Sequence, residues 1–139
     1  MFILDTNVVS ELRKIRMGKA DPRVGAWVAS IDADRLFISA ITVLELEIGV
    51  LRLERKDPTQ GAKLRTWFET LVLPEFSDRT FPVNSVVALR CARLHVPDPS
   101  SERDAFIAAT ALVHGMTVVT RNTSDFAGTG VRIFNPWET

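Results

Sequence analysis

Four acidic residues of the chain could bind metal ions together if folding brought them to one place. They are Asp5, Glu45, Asp104 and Asp125. Carboxylates packed in this way repel one another, and several would take up protons unless a cation compensated them. Hard divalent ions such as Mg²⁺ and Mn²⁺ prefer oxygen ligands. An all-carboxylate site of this kind suits phosphodiester chemistry, since a metal polarises the phosphate and activates a water molecule.

The elements that would position these acids are short apolar strands that alternate with amphipathic helices. Strands are predicted at residues 2–4, 36–38, 80–83, 117–119 and 131–134. Helices are predicted at residues 8–12, 22–31, 42–55, 59–73, 85–95 and 102–114. Pro82 marks the third strand as an edge strand, and Pro74 is expected to close the fourth helix. This alternation predicts one α/β domain over residues 1–139, with a parallel sheet and helices on both faces.

The acids fall where such a sheet would bind a ligand, because ligands bind outside the carboxyl ends of parallel strands. Asp5 directly follows the first strand, and Asp125 lies in the loop after the fourth strand. Glu45 and Asp104 lie near the starts of two of the predicted helices. We therefore expect all four carboxylates to converge on one edge of the sheet.

Each acid could also have a purely structural role, without metal binding or catalysis. Asp5 could serve only as a helix cap, and Asp125 could be a turn residue. Glu45 and Asp104 each stand three residues after a threonine or serine, which is the spacing of a capping box. Capping does not require four acids at one edge of one sheet, so the complete set favours the metal site.

Composition and charge argue against several other functions and locations. The chain carries 17 basic and 17 acidic residues, and this balance argues against binding along an extended stretch of duplex nucleic acid. The apolar runs are too short to span a bilayer, and the N-terminus does not resemble a secretory segment. Cys91, the only cysteine, is expected to be buried, and His95 and His114 stand apart, so zinc is not indicated. A reducing cytoplasm is the expected location.

Sequence motifs surround the four acids. They read MFILDTNVVSE at residues 1–11, TVLELEIG at 42–49, RDAFIAATA at 103–111, VVTRNTSDF at 118–126 and VRIFNPW at 131–137. The motifs resemble those of PIN-domain ribonucleases and, within them, the VapC toxins of bacterial toxin–antitoxin pairs, most closely a FitB-like branch. The second motif is the loosest match. There Glu45 is preferred to Glu47 because it shares a helix face with Gly49, whose missing side chain would allow close packing.

This resemblance implies a PIN-like three-layer fold around a five-stranded parallel sheet, and endonucleolytic cleavage of RNA that depends on Mg²⁺ or Mn²⁺. Asp5 and Asp104 would be the central metal ligands, and Glu45 and Asp125 would complete the acidic pocket. Other residues would orient the acids or the attacking water, and these are Thr6, Asn7 and Thr120.

The resemblance also implies protein partners. A small antitoxin would wrap the enzyme and obstruct the pocket, the complex would bind DNA through the antitoxin, and homodimers are frequent among such toxins. Apolar stripes that contain Trp27 and Trp67 offer surfaces for these contacts, although a single helical stripe more often packs into the core.

Two other classes of protein stay open. A Mg²⁺-dependent phosphatase or phosphotransfer domain also places an aspartate after its first strand. Asn7 stands where a dehalogenase-type phosphatase has a second aspartate, and residues 1–4 lack the acidic pair of a receiver domain. A non-catalytic PIN-like binding protein is the other alternative, and the retention of all four acids argues against it.

Overall fold

The computed structural model describes the whole chain, Met1–Thr139. Five short strands form one sheet in the order β3-β2-β1-β4-β5, and every pairing in it is parallel. The strands are β1 (Phe2–Leu4), β2 (Leu36–Ser39), β3 (Thr80–Phe81), β4 (Thr117–Val119) and β5 (Ile133–Phe134). The alternation of strands and helices in the sequence therefore predicted the parallel sheet correctly. Pro82 directly follows β3, which is an edge strand as predicted.

Seven α-helical segments connect the strands. They are α1 (Thr6–Arg16), α2 (Pro22–Ala29), α3 (Ala40–Lys56), α4 (Pro58–Trp67), α5 (Leu73–Glu75), α6 (Ser85–Leu94) and α7 (Glu102–His114). Their ends follow local chemistry. Asp57 accepts the backbone N–H of Gln60 at the start of α4, and Gly115 ends α7 in the left-handed conformation with a φ of 66°. None of these helices combines the length and the apolar composition that a membrane crossing requires.

The two faces of the sheet have separate apolar cores, because successive side chains of a strand point in opposite directions. Ile3 and Val118 pack against α7, where Ile107 is fully buried. Leu4 and Val119 belong to a larger cluster that includes residues of α1, α2, α3 and α4. The molecule therefore has three layers, with the sheet between two layers of helices, as the resemblance implied.

The helical structure after α4 continues further than the sequence predicted. Residues Phe68–Val72 form a π-helical stretch and α5 follows directly, so that Pro74 lies inside the helical segment instead of closing it. Pro74 occupies the first turn of α5, where the missing N–H of a proline costs least. The prediction that Pro74 ends the helix at residue 73 was wrong.

Two smaller expectations can be compared with the structure. The last strand is shorter than predicted, because the backbone N–H of Val131 donates to the Thr129 hydroxyl instead of joining the sheet. Cys91 is buried, as expected, and both tryptophan stripes face inward. Trp67 lies in the core, and Trp27 packs edge-on against Phe2 with 5.2 Å between the ring centroids.

Candidate active site

Asp5 occupies the centre of the carboxyl edge of the sheet, directly after the central strand β1. Its side chain is 6% exposed, and three hydrogen bonds fix the carboxylate. The backbone N–H of Thr6 donates to Oδ1 at 2.8 Å, the Thr120 hydroxyl donates to Oδ2 at 2.8 Å, and the Asn7 amide donates to Oδ2 at 3.2 Å. Asp5 also caps α1, so the capping interpretation and a place in an acidic pocket hold together for this residue.

Glu45 reaches the same place from the second turn of α3. The Thr6 hydroxyl donates to its Oε1 at 2.7 Å, and the Thr42 hydroxyl lies 3.3 Å from Thr6 Oγ1. Thr6 therefore connects Asp5, through its backbone, to Glu45, through its side chain. Glu47, the alternative in the same motif, points elsewhere and forms an ion pair with Arg65 of α4.

The capping boxes that were the alternative interpretation of Glu45 and Asp104 are not formed. Helix α3 begins at Ala40, two residues before Thr42, and the Ser39 side chain at the end of β2 caps it by accepting the N–H of Ile41. Thr42 is fully buried inside the helix. Ser101 stands at the N-cap position of α7, but its side chain accepts no N–H from that helix.

Asp104 and Asp125 lie near Asp5, since the charge of Asp125 acts on both Asp5 and Asp104. Asp104 lies in the first turn of α7, and Asp125 lies in a 3₁₀ turn, Thr123–Phe126, that follows β4. Burial and then the charges of Asp5 and Asp125 raise the pKa of Asp104, a hydrogen bond with the Ser101 side chain opposes the rise, and Glu45 adds the smallest effect, for a pKa of about 6. Burial likewise raises the pKa of Asp5 against its hydrogen bonds, with Glu45 and Asp125 adding to the effect.

Only one basic side chain approaches these acids closely. Arg103 Nη1 lies 3.7 Å from Glu45 Oε2, and the Arg103 side chain is 49% exposed. Neither Arg103 nor Thr42 was predicted from the sequence as part of the site. Both could have been found, because Arg103 is adjacent to Asp104 in its motif and Thr42 shares a helix face with Glu45.

The donor chemistry of the pocket fits a hard divalent cation. All four acids offer carboxylate oxygens, and burial followed by neighbouring carboxylates raises the pKa values of Asp5 and Asp104, which a bound cation would oppose. No three acidic, histidine or cysteine side chains lie close enough together to form a complete ligand set. Mg²⁺ does not need one, since it commonly keeps several waters and binds through one or two carboxylates.

The pKa of Asp104 predicts how stability without metal depends on pH. In the folded protein the carboxyl binds its proton more tightly than its ordinary value of 3.8 allows, with a pKa of about 6. Its contribution to stability is therefore fully present below about pH 4 and is lost as the pH rises through about 6. We expect the free energy of unfolding in EDTA to fall between pH 5 and pH 7.5, and to fall less in Asp104→Asn. Urea unfolding at both pH values checks this, and equal slopes for the two proteins would contradict it.

The molecule is a parallel three-layer α/β domain with acidic side chains at the carboxyl edge of its sheet, where such folds bind their ligands. The profile of the PIN domain matches residues 2–130, and the chain therefore belongs to the PIN-domain family. This result confirms the family resemblance found in the motifs.

Known proteins resemble this chain over its whole length. VapC ribonuclease Y4jK of Sinorhizobium fredii is 37% identical, over 99% of both chains. Toxin FitB of Neisseria gonorrhoeae is 38% identical, also over 99% of both chains. The solved structure of FitAB bound to an IR36 DNA fragment superimposes with a TM-score of 0.87 at 36% identity, covering 99% of this chain and 96% of that one. The expected VapC and FitB relationship is thus confirmed.

Proposed function

We propose that this protein is the ribonuclease toxin of a VapBC-type toxin–antitoxin pair and that its acidic pocket cleaves RNA phosphodiesters with a divalent metal. The observation that carries the proposal is the buried Asp5 carboxylate at the end of β1, electrostatically coupled to Asp104, Glu45 and Asp125. The full-length similarity to a VapC ribonuclease and to toxin FitB supports the same assignment.

In this mechanism Asp5 and Asp104 would hold Mg²⁺ or Mn²⁺, with Glu45 and Asp125 contributing directly or through water. A bound divalent cation would supply positive charge for the phosphate and for activation of a water molecule. Thr120 and Asn7 hold Asp5 in one orientation through their hydrogen bonds to Oδ2.

The side chains around Glu45 have a different task. The Thr6 hydroxyl donates to Glu45 Oε1, which fixes the direction of the second carboxylate oxygen. Arg103 approaches that second oxygen, Oε2, and partly compensates its charge before the phosphate arrives. These contacts preorganise the pocket, so that little rearrangement accompanies the reaction.

The proposal includes an antitoxin partner and a homodimeric assembly. A chain that is 36% identical to this one has been solved in the structure of FitAB bound to a DNA fragment. The formal net charge of this chain is zero, which favours DNA contact through the antitoxin over direct binding by the toxin.

Two substitutions on α3 test the catalytic proposal, one in the acidic pocket and one outside it as its control. We expect Glu45→Gln to slow the Mn²⁺-dependent cleavage of single-stranded RNA by roughly 100-fold, because it weakens a contact made to the reacting centre. Glu47→Gln removes the same charge two residues away and breaks only a partly exposed ion pair with Arg65. It should leave the cleavage rate within about threefold of the wild type, since such pairs contribute little.

The assay compares Mn²⁺ with EDTA for all three proteins. If both variants lost the same amount of cleavage activity, the loss would follow from any charge change on α3. Glu45 would then have no specific role in catalysis. Absence of metal-dependent cleavage by the pure wild-type protein would refute the ribonuclease proposal itself and would favour a non-catalytic PIN-like protein.

A further inference from the structure

A cavity of about 270 Å³ opens directly beside the acidic pocket. Thr6 and Glu45 line both the cavity and the pocket, so a molecule bound in one would touch the residues of the other. The cavity lies between α1, α3 and α4, and none of the roles described so far uses it.

The floor of this cavity is apolar and aromatic. It consists of Leu46, Val50, Leu64 and Trp67. Trp67 is 9% exposed, so that most of its indole ring is locked in the core and a small part faces the cavity. A buried apolar and aromatic lining of this kind suits a planar ring that has left its own stack, as the bases of single-stranded RNA do.

The rim of the cavity on α1 is basic. Arg13 and Lys14 both line it, together with the hydroxyl of Ser10. Lys14 forms an ion pair with the buried Glu11 at 3.4 Å, whereas the Arg13 guanidinium forms no ion pair and no hydrogen bond within the chain. A guanidinium without a partner, next to an apolar floor, is suited to bind a phosphate oxygen.

Gly49 keeps the cavity open. The sequence had suggested that the missing side chain allows close packing, and this expectation was wrong, since a methyl group at Gly49 would meet no heavy atom within 4 Å. Glycine inside a helix is less favourable than alanine. Neither a close contact nor a positive φ requires glycine at this position of α3. The absence of a side chain at Gly49 leaves open space beside Glu45.

We propose that this cavity binds one unstacked nucleoside of the RNA substrate, next to the phosphate that is cleaved. The base lies against the Trp67 side of the floor, and an adjoining phosphate contacts Arg13. The proposal rests on the proposed function and adds to it the place where one base of the substrate binds. A nucleotide satisfies both halves of the cavity at once, because it joins a planar ring to an anion at short distance.

Two glycine substitutions test this inference. Gly49→Leu fills the cavity, whereas Gly25→Leu places the same side chain on α2, also at a helical position where a methyl group meets nothing within 4 Å. We expect Gly49→Leu to weaken the binding of a fluorescent single-stranded RNA about tenfold, measured by anisotropy in EDTA, and Gly25→Leu to bind as the wild type does. Arg13→Gln should weaken binding as well and should reduce the salt dependence by about one counterion.

The outcomes separate this inference from the proposed function. If Gly49→Leu or Arg13→Gln binds RNA like the wild type, the nucleoside site is refuted, whether or not a protein partner binds the variant less well. The wild type would in that case still show Mn²⁺-dependent cleavage, and the ribonuclease assignment would stand. A thermal shift by Mn²⁺ that is equal in Gly49→Leu and wild type confirms that the variant is folded with its acidic pocket intact.

Discussion

Asp104→Asn is expected to abolish RNA cleavage and yet to leave the metal-free protein at least as stable as the wild type. The charges of Asp5 and Asp125 add to the effect of burial in raising the pKa of Asp104 to about 6, so its negative charge is unfavourable near neutral pH when no cation is present. An amide removes that repulsion. The same change takes away a metal ligand, and the several kcal/mol that a metal supplies to the transition state correspond to roughly 100- to 1,000-fold in rate.

Glu102→Gln is the matched control, since Glu102 is the other acid in the first turn of α7, where the helix dipole favours negative charge. It should retain cleavage. The measurements are the cleavage rate in Mn²⁺ and urea unfolding in EDTA at pH 7.5. If metal-free Asp104→Asn loses about 1 kcal/mol or more, Asp104 stabilises the end of the helix instead, as a capping residue would.

The sequence was sufficient for the architecture, because the signals concerned are local. Each strand is a short apolar run, and alternation with helices leaves a parallel sheet as the simple solution. The strand order β3-β2-β1-β4-β5 was not predicted, since apolar runs of similar composition do not specify their neighbours. The π-helical stretch Phe68–Val72 was missed for a related reason, as its apolar pattern is that of an ordinary helix.

The placement of the acids was predicted where it depends on strand ends. Asp5 follows β1, and a residue at that position must lie at the carboxyl edge of the sheet. The orientation of Glu45 could not be deduced in the same way, since it depends on a hydroxyl of Thr6, 39 residues away in sequence. Here the local capping pattern of Thr42 and Glu45 was misleading, because Ser39 had already capped the helix.

The distances between the metal ligands could not be predicted from the sequence. The charges of Glu45 and Asp125 contribute to the raised pKa values of Asp5 and Asp104, but no three of the four acids form a closed ligand set in the structure. Motifs locate a residue to an element and a turn, whereas ligand geometry depends on side-chain rotamers. The roles of the four acids therefore remain predictions, and binding experiments decide them.

Saturating Mn²⁺ is expected to raise the melting temperature of the wild-type protein by roughly 10 °C at a concentration of 100 times Kd. Binding to the folded state alone contributes about 2.7 kcal/mol at that concentration, and a chain of this size gains a few degrees per kcal/mol. The shift should be smaller at pH 5 than at pH 7.5, because Asp104 with a pKa of about 6 must lose its proton before it can bind a cation. Scanning calorimetry at both pH values measures it.

Asp5→Asn gives this prediction its sharpest control. Asparagine keeps a side-chain oxygen for the N–H of Thr6 and remains a good helix cap, so the variant should fold. It loses the charge at the centre of the pocket, and its melting temperature should not respond to Mn²⁺. Glu47→Gln, whose charge lies at Arg65 and outside the pocket, should keep the full shift. A shift of equal size in all three proteins would mean that Mn²⁺ binds elsewhere on the surface, and no shift in the wild type would mean that the acidic pocket does not bind this metal.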